Sequence, residues 1–247
     1  MLEQCINQAA GLQALALQHA VRLIAMASHG RQQGELPLLW GLCARWIDMG
    51  LSVAVLDGHA CESAANPGLA DMLDNPLSRF TEDAEKDAWL VLPAAVGLQR
   101  LSVTDLYNGS LNEVFKDYDI VLLYAHASAL TALLKGTPLA PLLVVPPAQD
   151  AALSAYAALK QMLLQGHLHP TVANIVPEPL ATPNRLKTQS AKNLMHCATS
   201  FLGYRVTAQT VVASSEPGGA HDDLTHLALQ LFENALALQQ ERAERLH

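Results

Sequence analysis

The chain has 247 residues, of which 51% are hydrophobic, 5% aromatic and 15% charged, and its net charge is −8. These values allow one large α/β domain or two small ones, and they argue against non-specific binding of nucleic acid. No apolar run reaches the roughly 18 residues that span a bilayer, and no signal peptide is apparent, so we expect a cytoplasmic protein. The four cysteines have no metal-ligand spacing, and no metal site is predicted.

The first half of the chain alternates between helical and extended patterns. Apolar side chains at helical spacing predict a separate N-terminal helix over residues 1–19. The following patterns predict, in order, a strand at 21–28, a helix at 36–49, a strand at 51–57, a short helix and an exposed acidic segment within 66–87, a strand at 88–92 and a helix within 102–117.

The second half continues the alternation. Its patterns predict a strand at 119–125, a helix at 128–135, a strand at 141–145, a helix at 150–165, a strand at 171–176, a helix at 185–201, a strand at 205–212 and a last helix at 222–245. This order predicts a three-layer α/β fold with a mostly parallel sheet of seven or eight strands. The predicted organisation is an N-terminal helix (1–19), an α/β domain (20–215) and a C-terminal helix (220–247).

The candidate binding site lies at one edge of this sheet. Ligands of mostly parallel sheets bind at the carboxyl ends of the strands. That edge carries three polar segments, Ser28–Glu35, Asp57–His59 and Tyr124–Ser128. The first of them has a strand before it and a helix and a second strand after it, which is the frame of a phosphate-binding loop.

The loop at Ser28–Leu38 and four further segments resemble the MinD/ParA branch of P-loop ATPases. The typical family loop reads S-G-K-G-G-V-G-K-T-T-L, and Ser28, Gly34 and Leu38 match it. In the same order as in the family, matching segments follow at 51–59, 89–94, 117–128 and 142–153, and Asn174 matches the asparagine near the base-binding edge. The resemblance covers nearly the whole chain and implies a MinD-type P-loop fold.

The resemblance also implies that the phosphate-binding loop has lost its chemistry. A phosphate loop uses glycine N–H groups, a lysine, and a Ser or Thr hydroxyl on Mg²⁺. In the family pattern, Gly30 replaces an additional signature lysine, Arg31 replaces a glycine, Glu35 replaces the P-loop lysine and Leu36 replaces a threonine. Gly34 retains the family's residue.

Positions on the neighbouring strands agree with this loss. His59 stands where the family has a second aspartate, and Tyr124 stands where the strand-four aspartate near Mg²⁺ would be, while Asp57 is retained. We therefore expect a vestigial nucleotide site in a pseudo-ATPase that needs no cofactor and binds Mg·ATP weakly or not at all. Glu35 and His29 are interpreted as solvated polar side chains of the loop without a role.

A short element ahead of the first strand narrows the resemblance. Asn7, Gln8, Ala9, Leu12 and Gln13 are similar to the D-Q-A-x-x-L-R element of the flagellar-number regulators FlhG and FleN. In that family the element is a helix that docks on the GTPase FlhF and stimulates hydrolysis. The resemblance implies a degenerate FlhG-like regulator of flagellar assembly or placement, with an FlhF-like GTPase or another flagellar assembly protein as partner. The alternative for this segment is an ordinary amphipathic helix.

Other possibilities stay open at this stage. The chain could be an atypical ATPase that uses Arg31 and Asp57, or an accessory protein of another envelope or polysaccharide system. Because the family dimerises through sandwiched ATP, we expect a monomer or an ATP-independent dimer. In relatives a C-terminal amphipathic helix binds membrane, but the polar face of residues 222–245 is mainly acidic. This favours packing on the domain or at a subunit interface over peripheral contact with the inner membrane.

Overall fold

The computed structural model describes residues 20–30, 32–75, 88–146, 151–177, 189–206, 208–213 and 222–238. The predicted N-terminal helix, Arg31, the acidic segment before the third strand and the end of the predicted C-terminal helix lie outside these ranges. Within the described ranges, no helix is both long and apolar enough to cross a membrane.

Eight strands belong to one sheet. They are β1 (Arg22–Ser28), β2 (Val53–Asp57), β3 (Trp89–Pro93), β4 (Ile120–His126), β5 (Leu142–Val145), β6 (Thr171–Pro177), β7 (Ala208–Ala213) and β8 (Leu236–Ala237). The strand order is β3-β2-β4-β1-β5-β6-β7, and β8 pairs with β1. The pairs β1–β5, β2–β3, β5–β6 and β6–β7 are parallel, and β8 is antiparallel to β1. The predicted mostly parallel sheet is confirmed.

Helices connect the strands. They are α1 (Gln32–Asp48), α2 (Leu69–Asp74), α3 (Ala95–Arg100), α4 (Ser110–Val114), α5 (Ala127–Leu133), α6 (Ala151–Gln161), α7 (Gln189–Leu202) and α8 (Asp222–Glu233). A 3-10 turn at Val103–Leu106 precedes α4, and a π-helical turn at Met162–Gly166 continues α6. All four residues of β5 are buried, as is typical of a strand covered on both faces.

The chain divides into two compact units. The first consists of residues 1–24, 46–123 and 236–247, and the second consists of residues 25–45 and 124–235. In the first unit, β2 and β3 pair from Val53↔Trp89 to Asp57↔Pro93. In the second unit, β6 pairs with β5 on one side and with β7 on the other.

In the second unit, α8 packs on the body of the unit through its apolar side. Its buried side chains are Leu227, Ala228, Leu231 and Phe232. Leu224 lies against α1, where a Cβ added to Gly41 would be 3.1 Å from Leu224 Cδ2. The packing that the sequence favours for the C-terminal helix is therefore observed over residues 222–233.

The prediction of one continuous last helix over 222–245 is wrong beyond Glu233. After a turn at Asn234, Leu236–Ala237 pairs with Arg22–Leu23, and the Leu238 N–H donates to the Val21 carbonyl at 2.9 Å. Alanine and leucine favour a helix locally, but helix propensities differ by at most about 0.7 kcal/mol per ordinary residue. Strand pairing and the burial of Leu238 outweigh that preference.

The helix predicted within 102–117 is observed as α4, and the 3-10 turn precedes it. The Ser102 N–H and hydroxyl both donate to the Asp105 carboxylate, at 2.7 and 2.6 Å, and this cap begins a new turn. Gly109 has a φ of +85°, which is outside the helical range and separates the turn from α4. Local capping and one positive φ therefore set where the helix within this range begins.

In the first unit, Glu62 ties the segment after β2 to α2 and α3. Its carboxylate accepts the backbone N–H groups of Ala70 at 3.4 Å, Val96 at 2.8 Å and Gly97 at 2.7 Å. Burial raises the pKa of Glu62, but the hydrogen bonds from Val96, Gly97 and Ala70 outweigh it, and the pKa lies below its ordinary value of 4.5. The ionised carboxylate is therefore the form that stabilises this junction.

We expect Glu62→Gln to lower the free energy of unfolding by about 1 kcal/mol near neutral pH, a modest value because solvent screens the partly exposed carboxylate. Since its pKa is lower in the folded state, Glu62 stabilises the protein above its unfolded pKa, and that contribution disappears as the pH falls through the folded pKa. Urea unfolding should show the difference between wild type and variant shrinking below a pH of about 4.5.

Glu113→Gln is the matched control for this prediction. It removes only an exposed ion pair with Lys116. We expect a smaller change in unfolding free energy at neutral pH for this variant. A Glu62→Gln difference that stays constant from neutral to acid pH would contradict the prediction.

Candidate functional site

The turn between β1 and α1 is tighter than the phosphate loop that the sequence predicts. β1 ends at Ser28 and α1 begins at Gln32 rather than near residue 36, so residues 35–37 are helical. Gly30 has a φ of +90°, and a Cβ placed on it would meet no atom within 4 Å. A phosphate-binding turn needs further residues that depart from the helical conformation. Here these residues are already helical, and residues other than glycine adopt the right-handed helical conformation without strain.

Glu35 is a buried helical residue whose side chain is 0% exposed. Its Oε2 accepts the Tyr124 hydroxyl at 2.9 Å, and its Oε1 accepts the backbone N–H of His29 at 3.2 Å. Glu35 and Tyr124, which the sequence predicts to stand at the positions of the P-loop lysine and the strand-four aspartate, are thus hydrogen-bonded to each other. The interpretation of Glu35 as a solvated loop residue is wrong, because the early start of α1 places it in the first helical turn, facing β4.

The His29 ring is hydrogen-bonded through both nitrogens. Nε2 lies 2.7 Å from the Val144 carbonyl oxygen, and because a carbonyl only accepts, Nε2 carries a proton. Nδ1 lies 2.9 Å from Ser154 Oγ. Glu35 Oε1 is 3.4 Å from Nε2, which makes an ion pair when the ring is protonated. The interpretation of His29 as a solvated side chain is therefore also wrong.

Gly34 matches the family pattern, yet a packing contact already requires it. A Cβ added to Gly34 would lie 2.5 Å from the Cβ of Pro146, the residue that follows β5. A real Cβ does not approach another carbon so closely, and a proline ring cannot rotate away. Glycine at this position lets the first turn of α1 approach the end of β5.

The other predicted nucleotide-binding residues each have surroundings of their own. Leu36 is half-buried in α1. Asn174 on β6 is buried, and its Oδ1 has no hydrogen-bond partner among the residues that the structure describes. Asp57 and His59 belong to the first compact unit, where Asp57 Oδ1 accepts the His59 N–H at 2.9 Å in an Asx turn. A local structural role therefore accompanies the retained Asp57.

Two groups at the site have no signal in the sequence. Ser154 is 125 residues from His29, and the Val144 carbonyl is 115 residues away. A single serine in an alanine-rich helix forms no recognisable motif, and a backbone carbonyl has no sequence signature. The predicted Arg31 and the partner-binding positions 7–13 lie outside the described residues.

The class of fold is defined by two features, the order of strands in the sheet and the connection from β1 through a glycine-containing turn to α1. The chain has the three-layer α/β fold of MinD-like P-loop NTPases. At the turn between β1 and α1 of this fold, the Glu35 carboxylate accepts the Tyr124 hydroxyl and the His29 N–H.

Solved structures provide the comparison for the fold. The MinC:MinD cell division protein complex of Aquifex aeolicus matches with a TM-score of 0.55 at 15% identity, over 89% of this chain and 99% of that chain. MinD from the same organism has a TM-score of 0.49 at 14% identity, over 89% and 100% of the two chains. Cobyrinic acid a,c-diamide synthase from Mycobacterium smegmatis, with ADP and magnesium bound, has a TM-score of 0.48 at 15% identity, over 89% and 100%.

Only the first of these scores exceeds 0.5, and the fold assignment rests on it. At such identities a structural likeness establishes the fold and not the activity. No family profile matches the chain, and no curated protein matches it.

Proposed function

We propose that this chain is a MinD-like protein that does not hydrolyse ATP and acts through protein contacts. The observation that carries the proposal is the buried Glu35 carboxylate, which accepts hydrogen bonds from the Tyr124 hydroxyl and the His29 N–H. In the family pattern this position belongs to the lysine that neutralises phosphate. The Glu35 carboxyl group is satisfied within the protein, and its position is the one proposed to meet the phosphates in the family pattern.

Electrostatics supports the loss of phosphate binding. At about 4 Å, a pair of unit charges interacts by roughly 4 kcal/mol at an effective dielectric constant of 20. Exchange of lysine for glutamate replaces attraction by repulsion and changes the interaction by roughly twice that value for each unit of phosphate charge. The start of α1 at Gln32 adds to this effect, because backbone N–H groups wound into a helix no longer form a phosphate cradle.

The finer proposal is an FlhG-like role in flagellar assembly or placement. Asn7, Gln8, Ala9, Leu12 and Gln13 are the proposed contact with an FlhF-like GTPase or another flagellar assembly protein. The MinC:MinD complex illustrates that a protein of this fold can work by binding another protein. Because dimerisation through sandwiched ATP would be lost, we propose a monomer or an ATP-independent dimer in the cytoplasm, with peripheral contact at the inner membrane as the alternative.

Titration calorimetry with Mg·ATP tests the loss of nucleotide binding. We expect no saturable heat up to about 1 mM nucleotide, which corresponds to a binding free energy weaker than about −4 kcal/mol. The Glu35→Lys/Tyr124→Asp variant restores the family's charges but not its loop, and it should also fail to bind. Micromolar binding by the wild type would overturn the proposal, and micromolar binding by the double variant would show that the two exchanged charges alone abolished it.

GTP turnover by the cognate FlhF-like GTPase tests the partner. The full chain should raise turnover, and Gln8→Ala/Leu12→Ala should not. Gln4→Ala/Gln18→Ala is the control, because both positions lie outside the matched element. If the wild-type chain does not raise GTP turnover, the proposed flagellar role is wrong, but the proposed loss of ATP binding is not affected.

An atypical ATPase is the second candidate. It is favoured by the retained Asp57 and by Asn174, whose buried Oδ1 lacks a partner among the described residues. In this function the Asn174 side-chain amide would hydrogen-bond to the base of the nucleotide. ATP turnover that vanishes in Asp57→Ala would favour this function over the first.

A further inference from the structure

Ser154 and His29 stand in the relation of a nucleophile and its base. Ser154 Oγ is 2.9 Å from Nδ1 of His29, within hydrogen-bond reach. The Val144 carbonyl at 2.7 Å fixes the proton on Nε2, so the neutral ring presents the lone pair of Nδ1 to the serine hydroxyl. The tautomer is thus the one that a general base needs.

A carboxylate faces the other side of the same ring. Glu35 Oε1 lies 3.4 Å from Nε2, and it is buried, so a ring that takes up a proton meets a negative charge. The Tyr124 hydroxyl and the His29 N–H hold that carboxylate in place. Serine, imidazole and carboxylate therefore form a continuous chain within the second compact unit.

Ser154 is the least buried of the three residues. The serine is half-buried, whereas the side chains of His29 and Glu35 are 2% and 0% exposed. Ser154 lies in the first turn of α6, an eleven-residue helix whose positive end favours developing negative charge. Its hydroxyl also lies 3.2 Å from the Ala151 carbonyl, and the shorter contact with Nδ1 favours the histidine as acceptor.

We propose that Ser154 is an activated nucleophile that accepts acyl groups from esters, with His29 as its general base. Oγ bonds to the ester carbonyl carbon while its proton passes to Nδ1. The bond from that carbon to the alcohol oxygen breaks, and the proton passes from Nδ1 to the leaving alkoxide. Water then attacks the acyl-serine, again giving a proton to His29, and a carboxylic acid and the free serine are released.

A fluorophosphonate probe on the full chain tests this assignment. The probe phosphonylates activated serines with loss of fluoride, and peptide mapping by mass spectrometry locates the adduct. We expect one adduct at Ser154, none in Ser154→Ala, and labelling about 100-fold slower in His29→Gln. Ser200→Ala removes an exposed serine of α7 and should label as the wild type does. Turnover of p-nitrophenyl butyrate should follow the same order.

Glu35 acts through His29 as a positioning residue. Glu35→Gln should slow labelling by about tenfold and change its pH profile, whereas a purely structural loss would leave the profile unchanged. If His29→Gln does not fold by circular dichroism, the wild-type pH profile decides: labelling that follows loss of the ring proton, observed by NMR, supports the assignment.

Absence of a Ser154 adduct in folded wild-type protein overturns the proposal, as does a pH-independent rate. So does equal labelling of wild type and a folded His29→Gln. The reaction needs no nucleotide, so this result and the Mg·ATP titration succeed or fail separately.

Discussion

Glu35→Ala is expected to lower the free energy of unfolding by about 3 kcal/mol. The substitution removes a fully buried side chain and leaves two donors, the Tyr124 hydroxyl and the His29 N–H, without their acceptor. An unsatisfied buried polar group costs roughly 1–3 kcal/mol, and the cavity adds to that cost. Urea unfolding should show a lower midpoint with an unchanged slope.

A double-mutant cycle with Tyr124→Phe isolates the hydrogen bond between the two exchanged positions. Tyr124→Phe keeps the ring and removes only the hydroxyl, so we expect a loss of about 1.5 kcal/mol. The double variant should lose about 3 kcal/mol rather than the sum, because once Glu35 is gone the hydrogen bond that Tyr124→Phe removes no longer exists. Additive losses, or a Glu35→Ala variant within about 0.5 kcal/mol of wild type, would contradict the buried pair.

Gly34→Ala is expected to lower the free energy of unfolding by about 2 kcal/mol in the absence of any ligand. The new Cβ would stand 2.5 Å from the Pro146 Cβ, so α1 has to move away from the end of β5. Alanine is otherwise the better helix former by up to about 1 kcal/mol. A position kept only for phosphate would therefore tolerate or even favour alanine in the free protein.

Gly41→Ala is the matched control because it lies in the same helix. Its added Cβ meets the flexible end of Leu224 at 3.1 Å rather than a proline ring. We expect a change between neutral and a gain of about 1 kcal/mol. Thermal or urea unfolding compares the two variants, and equal effects would show that the Pro146 contact does not limit this position.

Much of the fold could be predicted because it is encoded locally. β4 and β5 read as unbroken apolar runs, and buried parallel strands require that pattern. Element boundaries failed where a distant partner or a single backbone conformation decides. Leu236–Ala237 reads as helix and forms a strand on Arg22–Leu23, and Gly109, with its positive φ, sets where the helix within 102–117 begins.

The candidate site was only partly predictable. The substitutions at positions 35 and 124 could be recognised in the sequence as departures from the MinD/ParA pattern. The hydrogen bond between these two residues could not be predicted, because they are 89 positions apart and their contact depends on where α1 begins. The same holds for Ser154, whose link to His29 spans 125 positions.

The layer order and the parallel sheet follow from the sequence alone, because hydrophobic periodicity and turn residues act over a few neighbouring positions. The direction of Glu35 toward Tyr124, and the place of His29 between Val144 and Ser154, depend on tertiary packing. The start of α1 at Gln32 and the approach of Gly34 to Pro146 set those directions, and both are properties of packed elements rather than of any local segment.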